Sequence, residues 1–314
     1  MNCISLDVLT FRSRYLCTIR NFFNKRNFLE IDTPKLKKVP GMEPYLDPFS
    51  VFSPNQEEKG YLVTSPEYSL KQCISAGAEK IYEIAHVYRS GEKGRFHTAE
   101  FLMLEFYETG KDEFALMQTC IDLFETLENN FQSFGFKREN AEIISMENLF
   151  RKYLGCGYET EELISVLAKT EQDSAKYSSY SYDDLFFLVF LNHIEPRLTE
   201  GPFFVHSYPR ELASLAKTEG RIARRFEIYW KNVEIGNAFY ELNEMQEQRK
   251  RFEEEQEQRR ALGKEVFPLD ESFLESLKNL PECSGISIGL DRLFMICMNH
   301  DSLKLLSPYA NQLG

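Results

Sequence analysis

The sequence lacks an excess of basic residues. Its 314 residues include 37 Lys and Arg against 49 Asp and Glu, a formal net charge of −12, and the pI is about 5.1. Proteins that bind nucleic acid by themselves gain most of their affinity from basic surfaces that neutralise phosphates. The acidic balance therefore disfavours stable binding of a large RNA such as tRNA, although a nucleotide needs only a few local cations.

The sequence also lacks a metal-type arrangement of cysteines and a long apolar run. Its seven cysteines are scattered and odd in number, without Cys-x-x-Cys or Cys/His spacing for zinc. Scattered thiols are typical of a reducing compartment. There is no signal-peptide pattern and no run of about 20 apolar residues. We therefore expect a cytoplasmic protein with no membrane partner.

The most informative stretch, residues 80–107, predicts two strands joined by a polar loop that contains glycine. Period-two alternation places Arg89 with Glu83 on one face of the first strand, and Glu105 with Tyr107 on one face of the second. Charges inside a half-buried sheet are costly unless they are paired or bind a ligand. The hairpin alone is as compatible with a structural Arg–Glu bridge as with a binding site.

Three stretches, in chain order, resemble the three motifs of the class II aminoacyl-tRNA synthetases. A helical pattern ending near Asn27 and a Pro-terminated segment at 30–34 resemble motif 1, residues 80–107 resemble motif 2, and Gly285 to Arg292 resemble motif 3. The resemblance implies an α+β fold, an antiparallel sheet flanked by helices. It also implies one catalytic domain over residues 1–314 with a helical insertion at about 137–200. Motif 1 of this family packs across a homodimer, which we therefore expect here.

The same resemblance implies ATP and Mg²⁺ as cofactors. The implied catalytic residues are Arg89 on the α-phosphate, Arg292 on the γ-phosphate, and the metal-binding carboxylates Glu234 and Glu241. Further residues implied at the nucleotide are Gly91, Glu92, Thr98, Phe101, Ile235 and Gly289. The lysine-specific branch usually has Arg-Asn-Glu and His-Asn-Pro-Glu-Phe in motif 2. In this sequence the acid lies one residue later, at Glu92, and Thr98 stands in place of the asparagine. The nucleotide contacts implied for Glu92 and Thr98 therefore depart from the family pattern.

Segments similar to the lysine-specific branch imply an amino acid site. Its implied residues are Ser65, Pro66, Glu67, Tyr107, Asn237, Glu241 and Ser287. Without the resemblance, Glu67 would be a helix-start residue that stabilises the helix dipole, and Glu234 and Glu241 would be exposed surface acids. Those two acids are an odd number of residues apart, so they share a strand face only if the chain bends, for which the step at 236–238 is the candidate.

The motif 1 helix starts within the first ten or so residues, so we expect no anticodon-binding barrel before it. The sequence therefore resembles the elongation factor P lysine ligase family, whose members charge a protein lysine. That resemblance implies activation of lysine or (R)-β-lysine as an adenylate and transfer to elongation factor P. Ser287 stands where the synthetases have glycine, and we expect it to favour (R)-β-lysine. The alternatives are an adenylating paralogue with a tRNA or small-molecule acceptor, and a non-catalytic regulatory paralogue.

Overall fold

The computed structural model describes residues 4–131, 134–169 and 174–306. Contacts between Cα atoms divide the chain into two compact units. The first comprises Met1–Gly135 with Tyr240–Gly314, and the second is Phe136–Phe239. The predicted insertion at 137–200 lies inside the second unit.

The described residues contain nine α-helices and twelve strands. The helices are α1 Leu6–Lys25, α2 Glu67–Ser75, α3 Glu113–Phe131, α4 Met146–Leu154, α5 Thr160–Ala168, α6 Tyr182–Val189, α7 Met245–Ala261, α8 Glu271–Ser276 and α9 Leu290–Cys297. The strands are β1 Leu29–Glu30, β2 Leu36–Lys37, β3 Ser50–Phe52, β4 Lys59–Leu62, β5 Lys80–Tyr88, β6 Glu100–Thr109, β7 Glu142–Ser145, β8 Phe203–Pro209, β9 Thr218–Glu219, β10 Ile222–Trp230, β11 Val233–Tyr240 and β12 Cys283–Gly289. Short 3₁₀ turns occur at Arg138–Asn140, Ser174–Ser179, Glu195–Arg197, Arg210–Leu212, Leu277–Asn279 and Leu303–Leu305.

The predicted hairpin is the centre of the sheet in the first unit. Strands β5 and β6 pair antiparallel, β12 pairs antiparallel with the other edge of β6, and β1 runs parallel to β5. The pairing places Glu105 between Glu83 on one side and Ser287 on the other. Directly paired residues point to the same face of a sheet, so this register brings polar side chains of three strands to one face. A small sheet, β2-β4-β3, accompanies it.

Helix α1 begins where the Ser5 hydroxyl accepts a hydrogen bond from the Val8 amide, at 3.3 Å. Its buried face includes Phe23, which stacks on Tyr82 of β5 with ring centroids 4.7 Å apart. The helical pattern of the sequence thus reflects a face packed on the sheet.

A buried ion pair connects α1, β6 and α9. Arg12 lies 2.7 Å from Asp291, and the two side chains are 7% and 2% exposed. Asp291 also accepts a hydrogen bond from the Leu102 amide at 2.7 Å. Because Asp291 immediately precedes Arg292, these contacts set the position from which the motif 3 arginine extends.

The second unit combines strands with three helices. Strand β8 pairs parallel with β7 and antiparallel with β10, which pairs antiparallel with β9 and β11. Helices α4, α5 and α6 pack on these strands through a core that includes Phe150 and Phe186. The three helices lie within the predicted helical insertion, which did not include strand β7, and α6 continues as a π-helix at Phe190–Ile194. The sequence also has a polar stretch rich in Ser and Tyr at residues 173–181, of which Asp173 lies outside the described residues.

No helix in the described part of the chain has the length and apolarity needed to cross a membrane. Six cysteines lie in that part and all are free thiols. Half of them, Cys120, Cys283 and Cys297, are buried. These three act as small core residues, whereas Cys17 is exposed.

Candidate active site

The start of α2 carries the first part of the site. The Ser65 hydroxyl accepts a hydrogen bond from the Glu67 amide, which leads the helix, at 3.0 Å. The same hydroxyl donates to Oε2 of Glu105, also at 3.0 Å. Pro66 is the N-cap residue of α2 and forms no side-chain cap, so the Ser65 hydroxyl, one residue earlier, binds the Glu67 amide instead. The same hydroxyl connects α2 to the central strand β6.

Glu105 and Tyr107 form a buried polar pair on β6. The Tyr107 hydroxyl donates to Oε1 of Glu105 at 2.6 Å, and the residues are 2% and 1% exposed, respectively. Burial raises the pKa of Glu105 well above its usual range, and nearby Glu67 raises it further, against the hydrogen bonds from Tyr107 and Ser65. Glu105 was not among the predicted site residues, although its strand face had been identified.

Lys71 bridges two predicted substrate residues. Its Nζ lies 2.6 Å from Oε1 of Glu67 and 2.6 Å from Oε2 of Glu241, and the side chains of Lys71 and Glu241 are each 1% exposed. Burial lowers the pKa of Lys71, but Glu241 and Glu67 outweigh it and hold that pKa above its ordinary value. Glu241 is thus no exposed surface acid. Burial raises its pKa to about 8, although Lys71 acts in the opposite direction.

One oxygen of Glu241 is left open beside Gly285. Neither oxygen accepts a hydrogen bond from the described residues, and Oε2 is engaged only in the ion pair with Lys71. A Cβ atom added at Gly285 would overlap the Tyr107 ring and lie 2.8 Å from Oε1 of Glu241. Glycine at 285 therefore permits the close approach of Tyr107 and Glu241. Ser287, two residues on, points to the same face and lies opposite Glu105.

The arrangement is suited to a ligand that carries ammonium groups. Three carboxyl groups, of Glu67, Glu105 and Glu241, converge where Lys71 supplies a single positive charge. A buried acidic cluster of this kind is costly unless further cations or protons compensate it. An amino acid with amines at both ends supplies such cations.

Arg89 follows β5 and lies at the edge of this site. Its Nε donates to the Thr64 carbonyl at 3.4 Å, and its guanidinium lies 5.1 Å from the centre of the Phe101 ring. Its Nη1 is 3.5 Å from Glu92, with both side chains about a fifth exposed, at 23% and 22%. Arg89 therefore pairs with an acid of the hairpin loop. A structural Arg–Glu bridge within the strands would require a contact with Glu105 instead. A partly exposed arginine on an aromatic ring is suited to phosphate binding.

The motif 3 arginine and the hairpin loop lie close enough to interact. The Arg292 Nε donates to the Phe96 carbonyl at 3.0 Å. Burial lowers the pKa of His97, Arg292 and Arg89 lower it further, and Glu92 opposes them. The pKa of His97 thus depends on both arginines that the resemblance assigns to phosphates.

The other loop residues contribute through the backbone. Gly91 has a φ of +82°, which glycine adopts without strain, and Thr98 donates its hydroxyl to the Glu100 carbonyl at 2.7 Å. A Cβ added at Gly289 would make only ordinary contacts, at 3.7 Å and beyond, with Arg292. Gly91 therefore allows the turn, and the Thr98 hydroxyl is already hydrogen-bonded to the first residue of β6.

The remaining predicted residues, Glu234, Ile235 and Asn237, lie on β11 in the second unit. Tyr229 pairs with Glu234 and its neighbour Ile228 pairs with Gly236, so Ile235 is an extra residue in a β-bulge. The sequence predicted such an irregularity one step later, at 236–238. A bulge reverses the alternation of side chains beyond it. Asn237 accepts a hydrogen bond from Arg225 at 3.0 Å, and Ile235 is buried.

A resident metal cluster is not formed by the described residues, where no three His, Cys, Asp or Glu side chains are grouped to hold an ion. Mg²⁺ that arrives with a nucleotide needs only one or two protein carboxylates, because phosphates and water supply the other ligands. The open Oε1 of Glu241 fits that requirement.

Two residues at this site were missed from the sequence. Lys71 stands four residues after Glu67, a spacing that places both on one helix face, and this was the available signal. For Glu105 the available signal is a charge inside a half-buried strand, which by itself does not assign the residue to a site. Its hydrogen bonds to Ser65 and Tyr107 identify it as a member.

The fold and this site define a class II synthetase-type domain. The family model for class II tRNA synthetases (D, K and N) matches residues 4–312. Enzymes of this class use ATP, generally with Mg²⁺.

Curated relatives narrow the assignment. Three of them are an elongation factor P–(R)-β-lysine ligase from Proteus mirabilis (35% identical, covering 94% of this chain and 92% of the relative), one from Photorhabdus laumondii (36%, 95% and 93%) and one from Buchnera aphidicola (36%, 95% and 94%). The chain belongs to the class II tRNA synthetase family and, within it, to the family of these ligases.

Proposed function

We propose that this protein is an ATP-dependent ligase that activates (R)-β-lysine or lysine as an adenylate and transfers it to a lysine of elongation factor P. The observation that carries the proposal is the buried group of Glu67, Glu105, Glu241 and Lys71, which is suited to a diamine amino acid. The names of the relatives supply the acceptor. A protein that acts on a translation factor belongs in the cytoplasm, where we place it.

In the first step, the amino acid carboxylate attacks the α-phosphorus of ATP and pyrophosphate leaves. We assign Arg89 to the α-phosphate and Arg292 to the γ-phosphate, where they neutralise charge that develops in the transition state. Mg²⁺ bound through Glu234 and Glu241 would add charge neutralisation on the phosphates. Glu67, Glu105 and Glu241 bind the amines of the amino acid, so its carboxylate is held toward the phosphate.

In the second step, the acceptor lysine amine attacks the adenylate carbonyl, an amide forms and AMP leaves. The amino acid remains held by the same carboxylates, so one pocket serves both steps. A homodimer is part of this proposal. Apolar side chains on and next to α1 support it, because Leu6, Leu9 and Leu29 are 77%, 45% and 60% exposed.

The test separates the two steps. ATP–pyrophosphate exchange with lysine and with (R)-β-lysine measures adenylation, and mass spectrometry of elongation factor P after incubation with enzyme, ATP and donor measures transfer. We expect exchange with a diamine donor and the modification of one lysine. Absence of exchange with both donors contradicts the proposal. If tRNA is charged while elongation factor P stays unmodified, the acceptor is tRNA and the proposed acceptor is wrong.

A further inference from the structure

Glu43 is a carboxyl group for which the two proposed steps so far have no role. It lies between β2 and β3, and its Oε2 atom is buried without a hydrogen-bond partner among the described residues. It shares a cavity with Thr64, Ser65 and Glu67. Ser65 and Glu67 are residues of the amino acid site, and the Thr64 carbonyl accepts from Arg89. The cavity thus borders both the amino acid side and the phosphate side of the site.

The backbone around Glu43 is held by one buried side chain. Arg259 of α7, 1% exposed, donates to the carbonyls of Glu43 and Leu46, each at 2.9 Å, and to the Asp47 carboxylate at 3.0 Å. The Asp47 carbonyl accepts from the amide of Ser90, next to Arg89, at 2.7 Å. A guanidinium that forms several directed hydrogen bonds fixes a segment with little freedom. Glu43 therefore has a defined place beside the site.

The charges around Glu43 come from three elements and from the hairpin loop. Burial raises the pKa of Glu43, and Glu67 of α2 raises it further, whereas a hydrogen bond from its own backbone amide and the charges of Arg89 and Arg259 act in the opposite direction. On α7, Glu255 has a pKa raised to about 8 by burial and then by Glu43. Lys37 of β2 lines the same cavity, and burial lowers its pKa. A buried carboxyl group with an unused oxygen and nearby acids attracts a cation or a proton.

We propose that Glu43 binds the ammonium group of the acceptor lysine and removes its proton before the second step. The inference rests on the proposed function, and it concerns the acceptor, whereas Glu67, Glu105 and Glu241 serve the donor. A lysine side chain is charged at neutral pH, and an ammonium group has no lone pair with which to attack. The transfer step therefore needs a base at the acceptor. Glu43 offers a buried oxygen, Oε2, without a hydrogen-bond partner among the described residues, whereas Glu67 of the same cavity pairs with Lys71.

Protons and bonds balance in the transfer step. One proton passes from the acceptor ammonium to the Glu43 carboxylate, and the neutral amine forms a C–N bond to the adenylate carbonyl. The bond between that carbonyl carbon and the phosphate oxygen breaks, and AMP leaves with the electron pair. The new amide nitrogen releases its second proton to solvent. Glu43 then releases to solvent the proton that it took from the acceptor, and it is again a carboxylate. No oxidant, reductant or further reactant is needed.

The experiment compares Glu43→Gln with Glu58→Gln, in which an exposed acid of the same part of the chain is changed. ATP–pyrophosphate exchange reports adenylation and also whether the variant is folded. Single-turnover transfer from the preformed adenylate is then measured to elongation factor P and to hydroxylamine, a nucleophile that is already neutral. We expect Glu43→Gln to retain exchange and hydroxylamine transfer while transfer to the factor falls about 10²–10⁴-fold.

The pH dependence distinguishes a base from a structural residue. As the pH approaches about 10, the free lysine amine loses its proton to solvent, so the deficit of Glu43→Gln should narrow. Gly41→Ala is a second variant, because its added Cβ would overlap Oε2 and lie 3.0 Å from Cδ of Glu43. It should displace the carboxylate and cause the same selective loss, to a smaller extent.

The outcomes separate the two proposals. If the natural enzyme shows no ATP–pyrophosphate exchange, the proposed function itself is wrong. A natural enzyme that transfers, together with a Glu43→Gln variant that transfers equally well, overturns the role of Glu43. A variant that loses exchange and hydroxylamine transfer to the same degree as acceptor transfer also overturns it, because the loss is then not specific to the acceptor.

Discussion

Replacement of Lys71 by Met should destabilise the protein strongly. The Nζ atom lies 2.6 Å from both Glu67 and Glu241, and the Lys71 side chain is 1% exposed. Methionine fills much of the same volume but leaves the buried Glu241 carboxylate without its cation. Removal of one partner from a buried ion pair costs about 3–5 kcal/mol. We expect a loss of that size in the free energy of unfolding.

The loss should grow with pH. The pKa of Glu241 is about 8 in the folded protein with Lys71 present, against about 4.3 in an unfolded chain. Between these values the folded state binds more protons than the unfolded state, so the free energy of unfolding falls as pH rises. Without Lys71, which lowers that pKa, the pKa rises further, so stability continues to fall above pH 8 in the variant but not in the natural protein. Below about pH 8 the two proteins lose stability in parallel, and the cost of the substitution grows only above it.

Urea unfolding at several pH values measures this effect. The control is Lys278→Met, because that lysine is 52% exposed and pairs with Glu275 at the surface, so its change should stay within about 0.5 kcal/mol. In a double-mutant cycle, Glu241→Gln should recover part of the stability lost in Lys71→Met. A Lys71→Met protein as stable as the control, or one that Glu241→Gln destabilises further, would refute the reasoning.

Three further predictions concern the substrates. Gly285→Ala should raise the KM for the amino acid about 10²-fold in the exchange assay, because its Cβ displaces Tyr107 and Glu241, and an unchanged KM would contradict the geometry. Ser287→Gly should shift the ratio of specificity constants toward α-lysine about 10-fold or more, since a methylene of misfit is worth about 1–3 kcal/mol, and an unchanged ratio excludes Ser287 as the selector. Arg89→Ala should lower the exchange rate about 10²–10³-fold if Arg89 stabilises transition-state charge, and retained activity would make it structural.

Local pattern was sufficient for most of the elements. The hairpin of β5 and β6 was predicted from alternation, and the first helix from a helical pattern that ends near Asn27. These signals depend on residues close in sequence, so they can be recognised without knowledge of the fold. Strand β7 was missed because it has four residues, of which none is fully buried.

The charged helix α7 shows where composition misleads. A run of Gln, Glu, Lys and Arg is typical of a solvated helix face, yet Arg259 is 1% exposed and donates to the carbonyl of Glu43. A charged residue becomes buried when distant carbonyls and carboxylates supply its partners, and local periodicity carries no information about those partners. Sequence reasoning had no signal for this contact.

The three motifs, which keep their arginines and acids, were sufficient to recognise the class of protein and to identify Glu67 and Glu241 as candidate site residues. The folded chain added that Lys71 lies between these two carboxylates, that Glu105 lies near Glu67 and that Glu43 shares a cavity with Glu67. The physical reason is that burial and charge pairing arise between segments far apart in the chain, where their cost and compensation depend on the folded environment.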